Sequence, residues 1–148
     1  MSESASGAGI VATGMYWHLE VHDLARSAYV ADLDADPAGP EFFVEWLRRA
    51  LEAHSALAPV VRAGLIADLG EVATGRGLNQ MYPLPQELLD QVALAIVEDR
   101  EQLGKATSRS AFAREAVLVA VGQARRRRGG TLPPPPNQLP NRRPRRYP

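Results

Sequence analysis

The chain of 148 residues carries 17 basic and 17 acidic residues and no cysteine. Its length suits one domain that can bury a core without covalent staples, and the lack of cysteine excludes a disulfide framework, a thiolate metal site and a cysteine nucleophile. The zero net charge is a cancellation, because residues 1–77 hold 5 arginines against 11 acidic residues while residues 78–148 hold 12 basic against 6 acidic, an asymmetry that points to an anionic partner at the basic end.

Residues 1–14 are small and polar, and read as a disordered N-terminus. They lack the charged and apolar regions of a signal peptide, and no apolar run is long enough to span a bilayer. A cytoplasmic protein with no membrane contact is expected. Tyr16 to Val21 is the first ordered stretch. Trp17, Leu19 and Val21 alternate with Tyr16, His18 and Glu20, the period of two that marks a strand. A helix is expected from Asp23 to about Asp34, with Leu24, Ala28 and Ala31 on one side, broken by Pro37, Gly39 and Pro40. A second helix from about Glu41 to His54 places Phe42, Phe43, Trp46, Leu47, Ala50 and Leu51 on one apolar face. Together, residues 15–57 form a first strand-helix-helix unit.

Residues 58–77 read as a connection. Pro59 suits the first turn of a helix over 59–69, Gly70 can end it, and Glu71 to Gly77 is a loop. The same order then returns in residues 78–124. Leu78 to Leu84 is a short strand. Pro85 opens a helix to about Gln102 with Leu88, Val92, Ala95 and Ile96 inward, and Gly104 breaks it. Ser108 is a good N-cap for a last helix running to about Arg125, with Phe112, Ala113, Ala116, Val117, Ala120 and Val121 inward.

Residues 125–148 hold 8 arginines, 7 prolines and no acidic residue. The run Pro133 to Pro136 favours polyproline II and nothing here can build a core, so a disordered basic tail is expected. Without it, residues 1–124 carry a net charge of −8. The arginine excess also has a compositional side, since Lys105 is the one lysine.

Strand, helix, turn and helix over about 45 residues resembles the ribbon-helix-helix module of the Arc/MetJ class of repressors. The junction Leu84-Pro85-Gln86-Glu87-Leu88-Leu89 and the helix start Ser110-Ala111-Phe112-Ala113-Arg114-Glu115-Ala116-Val117 carry the resemblance. It implies a mainly α fold with a short two-stranded antiparallel ribbon. It also implies either a homodimer or, with two units in one chain, an intrachain pseudodimer. Laying one unit on the other pairs Leu24 with Leu88, Phe42 with Phe112, and Leu47 with Val117.

The resemblance further implies contact with double-stranded DNA: a ribbon in the major groove and a phosphate at the N-terminus of the last helix. The outward strand positions would be Asn79, Met81 and Pro83, and the phosphate anchor Ser108, Arg109 and Ser110. Asn79 suits adenine, whereas Pro83 has no donor and Glu20, on the other strand, would repel phosphate. Arg125, Arg126, Arg127 and Arg128 add salt-dependent, sequence-independent affinity. No constellation supports catalysis, metal or cofactor binding. His18 and His22 lie four apart but not on a His-Glu-x-x-His helix, and Asp32, Asp34 and Asp36 lack the glycine and closing glutamate of a calcium loop. The expectation is a non-enzymatic transcriptional regulator or plasmid-partition factor. The alternative is a protein-interaction module, such as an antitoxin or adaptor, whose acidic N-terminal half docks a protein partner.

Overall fold

The protein's structure, a computed structural model, describes residues 9–70 and 76–140. It is mainly helical, with a two-stranded antiparallel sheet. In chain order the elements are β1 (Ile10–His18), α1 (Leu19–Ala35), α2 (Phe43–Ser55), α3 (Pro59–Ala67), β2 (Gly77–Pro85), α4 (Gln86–Leu103) and α5 (Arg109–Arg127). The order strand, helix, helix occurs twice. β2 starts 67 residues after β1, and α4 starts 67 residues after α1.

β1 and β2 pair with each other in one ribbon. The register runs from Ile10 opposite Pro85 to His18 opposite Gly77, with Gly14 opposite Met81 at its centre. Each strand therefore meets the other at its midpoint. The strand pleat sends alternate side chains to opposite faces. Thr13, Met15, Trp17, Tyr82 and Leu84 are buried beneath the ribbon. Their inner layer continues into the helices through ring contacts of Tyr82 with Trp17 (5.7 Å) and Phe43 (6.1 Å). Burial pushes the Tyr82 hydroxyl up to about 12.

The helices pack crosswise. α1 lies chiefly against α5, and α2 lies against α5 and α4. The contact between α1 and α2 of the same unit is much smaller. Neither half could bury its apolar stripe alone, because the stripe's partner is on the other half. Val21, Ala25 and Ala28 of α1 and Leu88, Val92 and Ala95 of α4 are all buried, at equivalent places 67 residues apart.

Several boundaries differ from the sequence expectation. The first strand begins at Ile10, inside the stretch expected to be disordered, and ends at His18. Leu19 starts the helix, is 44% exposed and donates its amide to the Arg76 carbonyl at 3.1 Å. Trp17 and Val21 are both buried but on different elements. A spacing of four fits a strand face and a helix face equally, so the alternation ran through the junction unnoticed. The unit equivalence changes with it: Val21, not Leu24, matches Leu88. By their starts, α2 and α5 differ by 66 residues, which matches Trp46, not Phe42, with Phe112. Phe42 precedes α2 and is 46% exposed. Pro85 is the residue before α4 rather than its first member. α3 stops at Ala67. Of the expected loop, residues 71–75 lie outside the described residues.

α5 reaches Arg127, three residues beyond the expected end of the second unit. Residues beyond it run back along α1 as far as the description extends. Arg26 donates to the Pro136 carbonyl, the Tyr29 hydroxyl donates to the Pro140 carbonyl at 2.8 Å, and Leu132 and Leu139 pack on the core. This corrects the expectation of a tail disordered from Arg125. Proline-rich chain needs no internal hydrogen bonds, so its free carbonyls can accept from side chains already on the domain. The expected second arginine cluster, Arg142 to Arg146, lies outside the described residues. Among the described residues no helix is long and apolar enough to cross a membrane.

Candidate nucleic-acid interface

The solvent face of the ribbon is built from Ile10, Ala12, Gly14 and Tyr16 of β1 and Asn79, Met81 and Pro83 of β2. Asn79, Met81 and Pro83 are exposed and outward, as expected. Their neighbours are not the residues a base-reading surface would need. Ile10 is 58% exposed, Tyr16 48% and Met81 63%. Across the ribbon Tyr16 faces Asn79, and Met81 faces Gly14, its sulfur placed where a Cβ at position 14 would just touch it. The Tyr16 ring lies over Gly77 so closely that a Cβ there would collide with it. Apart from Asn79 and His18, this face is apolar, and no lysine or arginine stands on it. Glu20, expected on the same face, is instead in the first turn of α1.

The start of α5 sits at the edge of β1. Ser108 has extended backbone, and its hydroxyl accepts from the Ala111 amide at 3.1 Å, a side-chain N-cap. Ser110 Oγ accepts from the Tyr16 amide at 3.2 Å, so the helix start is tied to the ribbon edge. Arg109 is the exposed first residue of the helix. No acidic residue lies in this first turn, and its free amides carry the partial positive charge of a helix N-terminus. The equivalent start of α2 is different. It has no side-chain cap, and Glu45 is turned back to accept from the Glu41 amide at 2.9 Å. Phe42 and Phe43 stand where the other unit has Ser108 and Arg109, with Glu41 and Glu45 on either side of them.

The expected site residues fall into two groups. Ser108, Arg109 and Ser110 start α5, which Ser110 ties to Tyr16, the partner of Asn79, while Met81 stands at the centre of the ribbon. Arg125, Arg126, Arg127 and Arg128 stand at the far end of α5, roughly 28 Å away by the helical rise over its 19 residues. Arg127 is engaged with Asp32 at 2.8 Å, while Arg125, Arg126 and Arg128 are exposed. The remaining arginines of the fold are partly structural. Arg62 is 1% exposed and pairs with Asp99 at 2.9 Å. It also donates to the carbonyls of His54, Ser55 and Leu57 at the end of α2 and to Ala95 in α4.

Sequence reasoning missed Ile10 and the link from Tyr16 to Ser110. An alternating Ile10, Ala12, Gly14, Tyr16 pattern was present but weak, because alanine and glycine are poor strand formers. No protein-family model, curated protein or solved structure matches the chain.

Proposed function

We propose that the chain is a ribbon-helix-helix protein folded as an intrachain pseudodimer, and that it binds double-stranded DNA as a non-enzymatic regulator or plasmid-partition factor. The observation that carries this reading is the ribbon shared by two strand-helix-helix units, centred on Gly14 and Met81 and flanked by helices packed crosswise. A ribbon of this width fits a major groove. The cap at Ser108, with Arg109 and Ser110 beside it, offers one phosphate anchor; the acidic start of α2 offers none.

The proposed contact is therefore lopsided. Asn79 supplies the one amide for a base edge, and Met81, Ile10 and Ala12 supply apolar surface for thymine methyl groups. Arg125, Arg126 and Arg128, at the other end of the domain, add contacts only to DNA that extends past the ribbon or bends. The second reading, an adaptor or antitoxin that docks a protein, is supported by the apolar ribbon face and by Glu41 and Glu45 at the start of α2.

The test is fluorescence anisotropy of a labelled duplex against salt concentration. Arg109→Gln should weaken binding and lower the salt slope by about 1. Asn79→Ala should reduce discrimination between sequences. Should the full chain bind no duplex at low salt, DNA binding is wrong. If only joint substitution of Arg125 to Arg128 by Gln abolishes binding, the ribbon is not the DNA-contacting surface.

A further inference from the structure

Past α5 the chain reverses and lies along α1. The reversal is made at Gly129 and Gly130, whose φ angles of 85° and 102° are open to glycine and strained for other residues. The segment that follows, Thr131 to Pro140, contains five prolines. Pro133, Pro136 and Leu139 are half-buried, with Leu132 beside the first, while Pro134, Pro135, Asn137 and Gln138 between them are exposed. That period of three is the period of a polyproline II helix laid with one face on a surface. Leu132 and Leu139 pack on the core near the two ends of the segment. Arg26 donates to the Pro136 carbonyl, and the Tyr29 hydroxyl donates to the Pro140 carbonyl at 2.8 Å. Apolar anchors on one face, with donors aimed at free carbonyls, are how a groove holds an extended proline-rich chain.

Both donors keep an acceptor when this segment leaves. Tyr29 has one hydroxyl proton and two carbonyls within reach, Pro140 at 2.8 Å and Glu41 at 2.9 Å. Asp23, one turn earlier on α1, stands 3.9 Å from Arg26. The prolines have no N–H to leave unpaired, and their carbonyls return to water. Undocking therefore orphans neither Arg26 nor Tyr29, and what it gives up is the burial of the two leucines. Tethering favours the docked form, because a short connection through two glycines holds the segment at an effective concentration on the order of millimolar.

We infer that the face of α1 bearing Arg26 and Tyr29 is a binding site for an extended proline-rich peptide with leucine anchors seven residues apart, occupied in cis by residues 132–140 and exchangeable with the same sequence presented in trans. The resident ligand is the chain's own segment. A peptide without the leucines loses the anchors, and one without the prolines loses the preset backbone that makes docking cheap in entropy. The inference does not rest on DNA binding, and its test involves no DNA.

The first measurement uses the full chain carrying Leu132→Asp and Leu139→Asp, which disable the resident segment and leave α1 unchanged. Its ligand is a fluorescein-labelled peptide of residues 131–140, followed by anisotropy. Saturable binding of one peptide per chain is expected, and the unmodified chain should bind at least about tenfold more weakly, because its site is filled. Adding Arg26→Ala or Tyr29→Phe should weaken binding to the disabled chain, and a peptide with both leucines replaced by aspartate should not saturate. Circular dichroism checks that the helices remain. The second measurement needs no disabling substitution. The chain has no cysteine, so a dye on Asn137→Cys, an exposed position, reports on the segment alone. Unlabelled peptide at about millimolar concentration should release the segment and lower the dye's anisotropy, and the aspartate peptide should leave it unchanged. The inference is overturned if the peptide does not saturate the helical disabled chain, if both peptides act alike, if neither Arg26→Ala nor Tyr29→Phe weakens binding, or if excess peptide leaves the dye unmoved. A dimer in sedimentation that is lost with Leu132→Asp and Leu139→Asp would place a second copy's segment in the site and overturn occupancy in cis.

Discussion

The two strand-helix-helix units share a plan and differ at their ends. In the first, α2 starts with an uncapped Phe42 and two glutamates, and it finishes buried, with Arg62 closing its last carbonyls. In the second, α5 starts with a serine cap and an arginine, and it finishes in three arginines, with Arg128 just beyond. The ribbon and the crosswise helices need only matching apolar stripes, so both units satisfy the core alike. The ends are free of that demand and differ in charge. Similar packing in the two units thus goes with unlike helix starts: one carries a serine cap and an exposed arginine, the other is flanked by two glutamates.

The largest effect that would break the comparison is at the Arg62–Asp99 pair, which joins α3 to α4 and caps α2, and which α5 does not reproduce. Asp99→Ala leaves a buried guanidinium uncompensated and should cost about 3–5 kcal/mol in urea denaturation. Acid comes next. The His54 pKa of about 4 lies below the unfolded value near 6.5. Between those values the unfolded chain binds the extra proton, so stability falls as pH drops below about 6.5, by up to about 3 kcal/mol at pH 4. The His54→Leu protein should lose that share of the acid sensitivity, read as a smaller drop in Tm between pH 7 and pH 4.

Smaller effects sharpen the difference between the two helix starts. Ser108→Ala removes the one side-chain cap at a helix start among the described residues and should cost about 1 kcal/mol, whereas a substitution at the uncapped Phe42 has no such bond to lose. The smallest effect is expected at Arg49 and Glu45. This pair, at 3.1 Å, is largely exposed on both sides, so Arg49→Ala should change stability by less than about 0.5 kcal/mol in the same titration.

Much of this was legible from residue order. Ser108 as a cap, Gly104 as a left-handed helix end (φ 68°) and the inward faces of α4 and α5 follow from local rules. The strand–helix junction at His18 did not, because Trp17 and Val21 keep a spacing that suits either element. Nor did the path of residues 131–140. Composition correctly gives them no core of their own, but it cannot say that Arg26 and Tyr29 offer donors to their carbonyls. Asn79, Met81, Ser108, Arg109 and Ser110 were identified as a set from a local resemblance. That Ile10 and Tyr16 make their surroundings apolar depends on β1 reaching back to residue 10.

The sequence by itself determined the repeated strand-helix-helix order, the helix ends and the split between an acidic body and an arginine-rich end. Each of these is a matter of neighbours within a few residues, where capping, turn chemistry and periodicity act. Tertiary structure alone decided that the two strands pair with each other at Gly14 and Met81, that α1 seeks α5 rather than α2, and that His54 is buried beside Phe112. Those outcomes depend on which apolar stripe is buried against which, an energy summed over groups far apart in the chain, and no local pattern contains it.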